Sequence, residues 1–204
     1  MSVNLQKGQR VDLAKSGDSL SKIVVGLGWD PVKESKSKSS GMFGGLFGGR
    51  EADIDCDASA LLLGENGKLI GPNYVVFYNN PCSDCKSVWS SGDNLTGGGD
   101  GDDEQIFVEL SKVPAEVHKI LFTVTIYDCI SRKQQFGMIE NAFIRVFNPA
   151  NNQELIKYNL SENYSGKTGL LVGEIYRYKG GWKFAAIGEG TNDTSIVDVC
   201  NKYL

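Results

Sequence analysis

Apolar residues fall at every second position in several stretches of this chain. The clearest run is Lys119 to Tyr127, where Ile120, Phe122, Val124 and Ile126 share one face, and Gln105 to Leu110 repeats the pattern with Ile106, Val108 and Leu110. A period of two is the mark of a strand with one side against a core. β-Branched and apolar segments set off by turn residues predict further strands at Val3 to Val11, Lys22 to Trp29, residues 53–63, Asn73 to Asn80, Ala142 to Phe147 and Glu154 to Asn159. Two more are expected at Leu170 to Tyr178 and Trp182 to Ile187, a pair that Gly180-Gly181 joins as a tight hairpin. That makes roughly ten strands, bounded by glycine, asparagine and serine clusters. Helix is minor: a turn at 114–117, another at Ile130 to Phe136, and a closing helix in TSIVDVCNKYL capped by Asp193 or Thr194. Short strands with glycine-marked turns predict an all-β fold, a sandwich of two packed antiparallel sheets.

One stretch breaks the pattern. Residues 33–51, KESKSKSSGMFGGLFGGRE, pass from Ser/Lys-rich to Gly/Phe-rich and carry neither period. They are expected to be a flexible insertion in a single domain spanning 1–204. A second reading gives Met42, Phe43, Leu46 and Phe47, beside Lys33, Lys36 and Lys38, a weak docking role on a membrane or partner. With 41% hydrophobic and 23% charged residues, the composition is that of an ordinary globular protein, apart from 25 glycines against five prolines.

Charge adds a sharper feature. Asp93, Asp100, Asp102, Asp103 and Glu104 lie within twelve residues that contain no Lys or Arg. Taking these five carboxylates from the net charge of −4 leaves the rest of the chain at +1, so the acidity is local. No clustered basic face remains for phosphates, and nucleic acid is not an expected partner. Crowded carboxylates repel unless they stay solvated, take up protons or share a counter-ion. The glycines at 97, 98, 99 and 101 let backbone carbonyls turn toward one centre. Calcium suits such a set, because it accepts six to eight oxygens at about 2.3–2.6 Å in adaptable geometry. Magnesium prefers a strict octahedron and keeps its waters, and the single histidine leaves zinc and copper poorly served.

Asp53, Asp55 and Asp57 alternate in DIDCDAS, so an extended strand would aim all three to one side, near Asp30 of GLGWD. The stretch is not an EF-hand: its sixth position is Ala58 and its twelfth is Gly64. On the residues alone two readings stay open, a calcium site built from both acidic stretches or two solvated loops that only confer solubility.

Other chemistry is sparse. Cys82-Ser-Asp-Cys85 reads as loop thiols, a redox pair or half a metal site, and Cys56, Cys129 and Cys200 are scattered. His118 precedes a core strand with no nucleophile in view and reads as structural. Phosphate-cradle and nucleophile-elbow motifs are absent from the sequence, so the chain is expected to bind rather than to catalyse. The polar N-terminal stretch and the lack of a long apolar run predict a cytoplasmic location.

GLGWD (26–30), DIDCDASALLL (53–63), VVFYNN (75–80), SGDNLTGGGDGDDE (91–104), KILFTVTIYD (119–128), FIRVFN (143–148), GEIYRY (173–178) and WKFAAIGEG (182–190) together resemble the TerD family, in its order and across nearly the whole chain. The GDN…GDGDDE segment is the most discriminating. The resemblance implies a β-sandwich that binds Ca2+ through Asp93, Asp100, Asp102, Asp103 and Glu104, with Asp30, Asp53, Asp55 and Asp57 as further ligands. It also implies a setting in tellurite and chemical-stress resistance, with other Ter-type proteins, some membrane-embedded, as partners, and hence a place against the inner face of the membrane. The insertion at 33–51 and the Cys82/Cys85 pair depart from the family pattern. A metal-dependent enzyme using the same carboxylates and a nucleotide-binding module are the alternative functions.

Overall fold

The computed structural model describes residues 2–13, 20–32, 54–92 and 101–204. Twelve strands occur among them. In chain order they are β1 (Val3–Leu5), β2 (Arg10–Asp12), β3 (Ile23–Pro31), β4 (Cys56–Leu63), β5 (Val75–Val76), β6 (Val88–Ser90), β7 (Glu104–Val108), β8 (Lys119–Ile126), β9 (Ile139–Asn148), β10 (Gln153–Asn159), β11 (Gly169–Tyr178) and β12 (Gly181–Thr191). They form two six-stranded sheets, ordered β1-β10-β9-β3-β7-β6 and β2-β12-β11-β8-β4-β5. The expected sandwich is therefore present, with one deviation: β1 pairs with β10 in parallel, while the other pairings are antiparallel.

The period of two explains the core. Val25, Leu27, Ile106, Val108, Ile144 and Val146 line the inner face of the first sheet, and Ala60, Leu62, Ile120, Phe122, Val124 and Phe184 that of the second. The second sheet is buried on its back as well. There Leu61, Leu63, Leu121 and Leu171 pack under Val199, Ile196 and Tyr203 of the closing segment. This is why β4 and β8 carry Leu61, Leu63 and Leu121 on the face turned from the core, as covered strands do.

Small elements differ from expectation. Residues 114–117 form a turn, with the Val117 amide donating to the Pro114 carbonyl, because proline supplies a turn more readily than a one-turn helix. Of Asn73 to Asn80 only β5 is strand, preceded by a 3₁₀ turn at Pro72–Tyr74. The β11–β12 hairpin turns on Lys179 and Gly180, both at positive φ, and Gly181 is already in the strand. Two short helices are present among the described residues, α1 (Cys129–Arg132) and α2 (Ile196–Asn201). The cap of α2 is Ser195, whose side chain accepts the Asp198 amide; Thr194 instead donates its hydroxyl to Asp198. The insertion at 33–51 lies outside the described residues, as do Asp53, Asp93 and Asp100. No helix among the described residues is long and apolar enough to cross a membrane.

Candidate functional site

The acidic segment re-enters the described structure at Gly101 and runs into β7 beside β3. Gly26 on β3 has Gln105 of β7 on one side and Arg145 of β9 on the other. The Asp102 side chain folds back over this glycine, where a Cβ would lie 2.2 Å from its Oδ2. Arg145 Nε donates to Oδ1 at 2.6 Å, Arg145 Nη2 to Oδ2 at 3.0 Å, and Gln105 Nε2 to Oδ2 at 2.9 Å. The Asp102 side chain is 1% exposed. Arg145 also stacks on Phe147 and faces Glu154 at 3.7 Å. Two steps along β3, a Cβ on Gly28 would strike Phe143 and the Gly101 carbonyl. The glycines of GLGWD thus clear the bed on which Gly101 and Asp102 lie, a matter of space rather than backbone strain.

The next two residues turn elsewhere. The Asp103 amide donates to the Leu27 carbonyl at 2.8 Å, and its Oδ2 accepts the Trp29 amide at 2.8 Å. Its carboxyl is nonetheless held above its usual range, chiefly by burial, with the charges of Asp30 and Asp102 adding to the shift and the Trp29 amide opposing it. Glu104 shares the inward parity of Ile106 and Val108 and is buried. Its Oε2 reaches across the sandwich to accept the Ala58 amide of β4 at 2.5 Å, a charge-assisted bond linking the two sheets.

The second acidic stretch arrives from β4. That strand begins at Cys56, so Asp55 precedes it and only Asp57 lies on it, in the outward register of Ser59 and Leu61. Both carboxylates are buried, and the Asp55 carbonyl accepts the Tyr127 amide at 2.8 Å. Cys56 marks the meeting point. Burial drives its thiol well up from the usual range, and the charges of Glu104, Asp55, Asp57 and Asp103 raise it further. Four of the sequence-predicted residues thus lie near enough to one buried thiol for their charges to raise it. Asp30 stands beside Asp103 and accepts Asn141 Nδ2 at 2.8 Å. Asp102 faces away, toward Arg145. Among the described residues, no three His, Cys, Asp or Glu side chains are gathered as closely as ligands around one ion.

Sequence reading missed three components. Arg145 lies mid-strand in FIRVFN with nothing nearby in sequence to mark it as the partner of Asp102. The bridge from Glu104 could have been found by extending the alternation of Ile106 and Val108 back by two residues. A cavity of about 640 Å3 opens beside Asp30, lined by Trp29, Asn141, Phe143, Lys157 and Asn159 among others; its residues come from distant segments and share no motif.

Comparison with known proteins extends the picture. The TerD domain model matches residues 1–203. The chain is 53% identical over its full length, and that of the relative, to a stress response protein, SCP2, of Bacillus subtilis (strain 168). It is 44% identical to the tellurium resistance protein TerD of Serratia marcescens, covering all of this chain and 97% of that one. A crystal structure of a homologue of the telluride resistance protein from Streptomyces coelicolor A3(2) aligns with a TM-score of 0.63 at 19% identity, over 88% of this chain and 95% of that one.

Proposed function

Since this chain belongs to the TerD domain family of tellurium-resistance and stress-response proteins, we propose that it is a calcium-dependent, non-catalytic interaction module whose ion is held where the two acidic stretches meet. The observation that carries this reading is the junction of the two acidic stretches: Glu104 Oε2 accepts the amide of Ala58, the residue after Asp57, and Asp55, Asp57 and Glu104 are all buried. Burying several like charges together is unfavourable, and a hard cation offsets it. The donors are all carboxylates with flanking backbone carbonyls, the oxygen set that calcium accepts.

In this proposal Asp103 and Glu104 hold the ion from the entry to β7, Asp55 and Asp57 from the entry to β4, and Asp30 from β3. Asp53, Asp93 and Asp100 complete the set on the strength of the sequence. Asp102 is better placed as an anchor, because both its oxygens are engaged by Arg145 and Gln105. When bound, calcium supplies charge neutralisation, and the acidic segment becomes a fixed surface for partners. Other Ter-type proteins, including membrane-embedded ones, are the proposed partners, and the cytoplasm, against the inner face of the membrane, is the proposed location. Titration calorimetry with calcium, and with magnesium as competitor, tests the reading. Saturable calcium binding that magnesium displaces poorly is expected; no calcium heat at protein concentrations suited to micromolar binding contradicts it.

The cavity beside Asp30 favours one further possibility, a small ligand bound next to the ion. Activity on generic phosphate esters that Asp103→Asn abolishes would turn this into the enzyme reading.

A further inference from the structure

Cys82 and Cys85 lie on the hairpin that leads into β6, at the edge of the first sheet. The hairpin is firmly paired: the Ser90 amide donates to the Pro81 carbonyl at 2.9 Å, Cys82 bridges to Trp89, and the Ser83 amide donates to the Val88 carbonyl at 2.9 Å. Within it the chain reverses sharply, with the Lys86 amide donating to the Ser83 carbonyl at 2.9 Å and Lys86 at φ 57°. Both cysteines carry free thiols and both are partly exposed.

Both sulfurs pack on the same residue. Cys82 Sγ lies 3.6 Å from the Ser83 carbonyl oxygen, and Cys85 Sγ lies 3.3 Å from Ser83 Oγ. Ser87 Oγ is 3.0 Å from Cys85 Sγ on the other side. Ser83 and Ser87 are buried, and the Ser83 hydroxyl is fixed by donating to the Val88 carbonyl and accepting the Val88 amide. Cys82 is therefore held by the strand ladder while Cys85 rides the turn beside it. The other thiols differ: Cys56 and Cys129 are buried, Cys200 is on α2 and half-buried against the second sheet, and all three lie on separate elements.

We propose that Cys82 and Cys85 are a modification site, a dithiol that a hydroperoxide closes to a reversible disulfide. One sulfur attacks a peroxide oxygen, breaking the O–O bond and leaving a sulfenic acid and one water when the oxidant is hydrogen peroxide. The second thiol then displaces the hydroxyl as a second water and forms the S–S bond. Two electrons pass from the sulfurs to the peroxide oxygens, and a small dithiol reductant returns them. The bond staples the hairpin that ends in β6, beyond which the Ser91 amide donates to the Gln105 carbonyl.

The test treats the reduced full-length chain with a small excess of hydrogen peroxide, followed by alkylation in denaturant and tryptic mapping. Both cysteines fall in one peptide, residues 69–86, between Lys68 and Lys86. The expected result is that this peptide becomes lighter by two hydrogens, resists alkylation and recovers with dithiothreitol, while Cys56, Cys129 and Cys200 alkylate normally. Cys82→Ser should abolish the two-hydrogen loss. The proposal is overturned if the peptide alkylates fully, gains only oxygens or links two chains. It is overturned too if native mass spectrometry finds a metal ion retained by the pair.

Discussion

Arg145 and Asp102 meet over Gly26, the guanidinium of β9 gripping the carboxylate with bonds of 2.6 and 3.0 Å across a strand that has no side chain at that point. The pair fixes where the acidic segment enters the sandwich, since the following two residues are Asp103 and Glu104. Arg145→Ala leaves a nearly buried carboxylate with Gln105 as its remaining described partner, and should cost about 2 kcal/mol of stability. Urea unfolding reads this as a lower midpoint at unchanged slope. An unmoved midpoint would mean that the pair contributes nothing beyond solvent.

Gly26→Ala should be destabilising by about 1–3 kcal/mol, because a methyl group must displace the Asp102 carboxylate. Gly71→Ala is the control, since its Cβ would meet only Tyr74 at 3.7 Å and its φ of −179° suits any residue. Combined with Arg145→Ala, the loss at Gly26 should fall well short of additive, because both changes disrupt the same contact. Full additivity in a double-mutant cycle would separate the two.

Glu104 offers a contrast between shape and charge. Glu104→Gln keeps an acceptor for the Ala58 amide, so the chelator-treated protein should keep its fold while calcium affinity falls at least tenfold. Glu104→Ala strands that buried amide and should cost about 1–3 kcal/mol even without calcium. Equal unfolding midpoints for the two variants, measured in chelator, would contradict the bridging role.

Acid titration of the calcium-free protein should reveal Asp103. Its folded carboxyl titrates above the ordinary value of 3.8. The folded state therefore holds the proton more tightly, and this group's contribution to stability falls as pH rises from that value through the raised one. Asp103→Asn, which retains an acceptor for the Trp29 amide, should be more stable than the parent at neutral pH in chelator and should lose that advantage near pH 3.8. Thermal melts across this range, with and without the substitution, decide it; an advantage that persists in acid would point to packing rather than charge.

The sandwich was legible because its central strands carry their period openly: Ile120, Phe122, Val124 and Ile126 are core residues where alternation places them. Edge elements were not. β6 is only Val88–Ser90, too short to show a period, and β5 is shorter still. The α2 cap was ambiguous because Asp193, Thr194 and Ser195 can each cap a helix, and the three-residue spacing to Asp198 selects Ser195. In the site, the sequence grouped carboxylates by proximity along the chain, whereas the fold divides them by where each strand begins. Asp102 goes to the back of the first sheet and Glu104 into the core, two residues apart, because the chain passes from a crossing segment into β7 between them. Asp55 and Asp57 do not share a strand face, since β4 starts only at Cys56. Which long-range cation would answer Asp102 depends on β9 lying beside β3, a topological fact that no local pattern records.

The central claim is that the two acidic stretches, joined where Glu104 meets β4, are completed by calcium. Its most direct test is the melting temperature of chelator-treated protein as calcium is restored. An ion at about a hundred times its dissociation constant adds roughly 2.7 kcal/mol, so the melting temperature should climb by several degrees for a domain of this size, with Glu104→Gln blunting the rise and magnesium reproducing little of it. A melting temperature that calcium leaves unchanged would contradict the account.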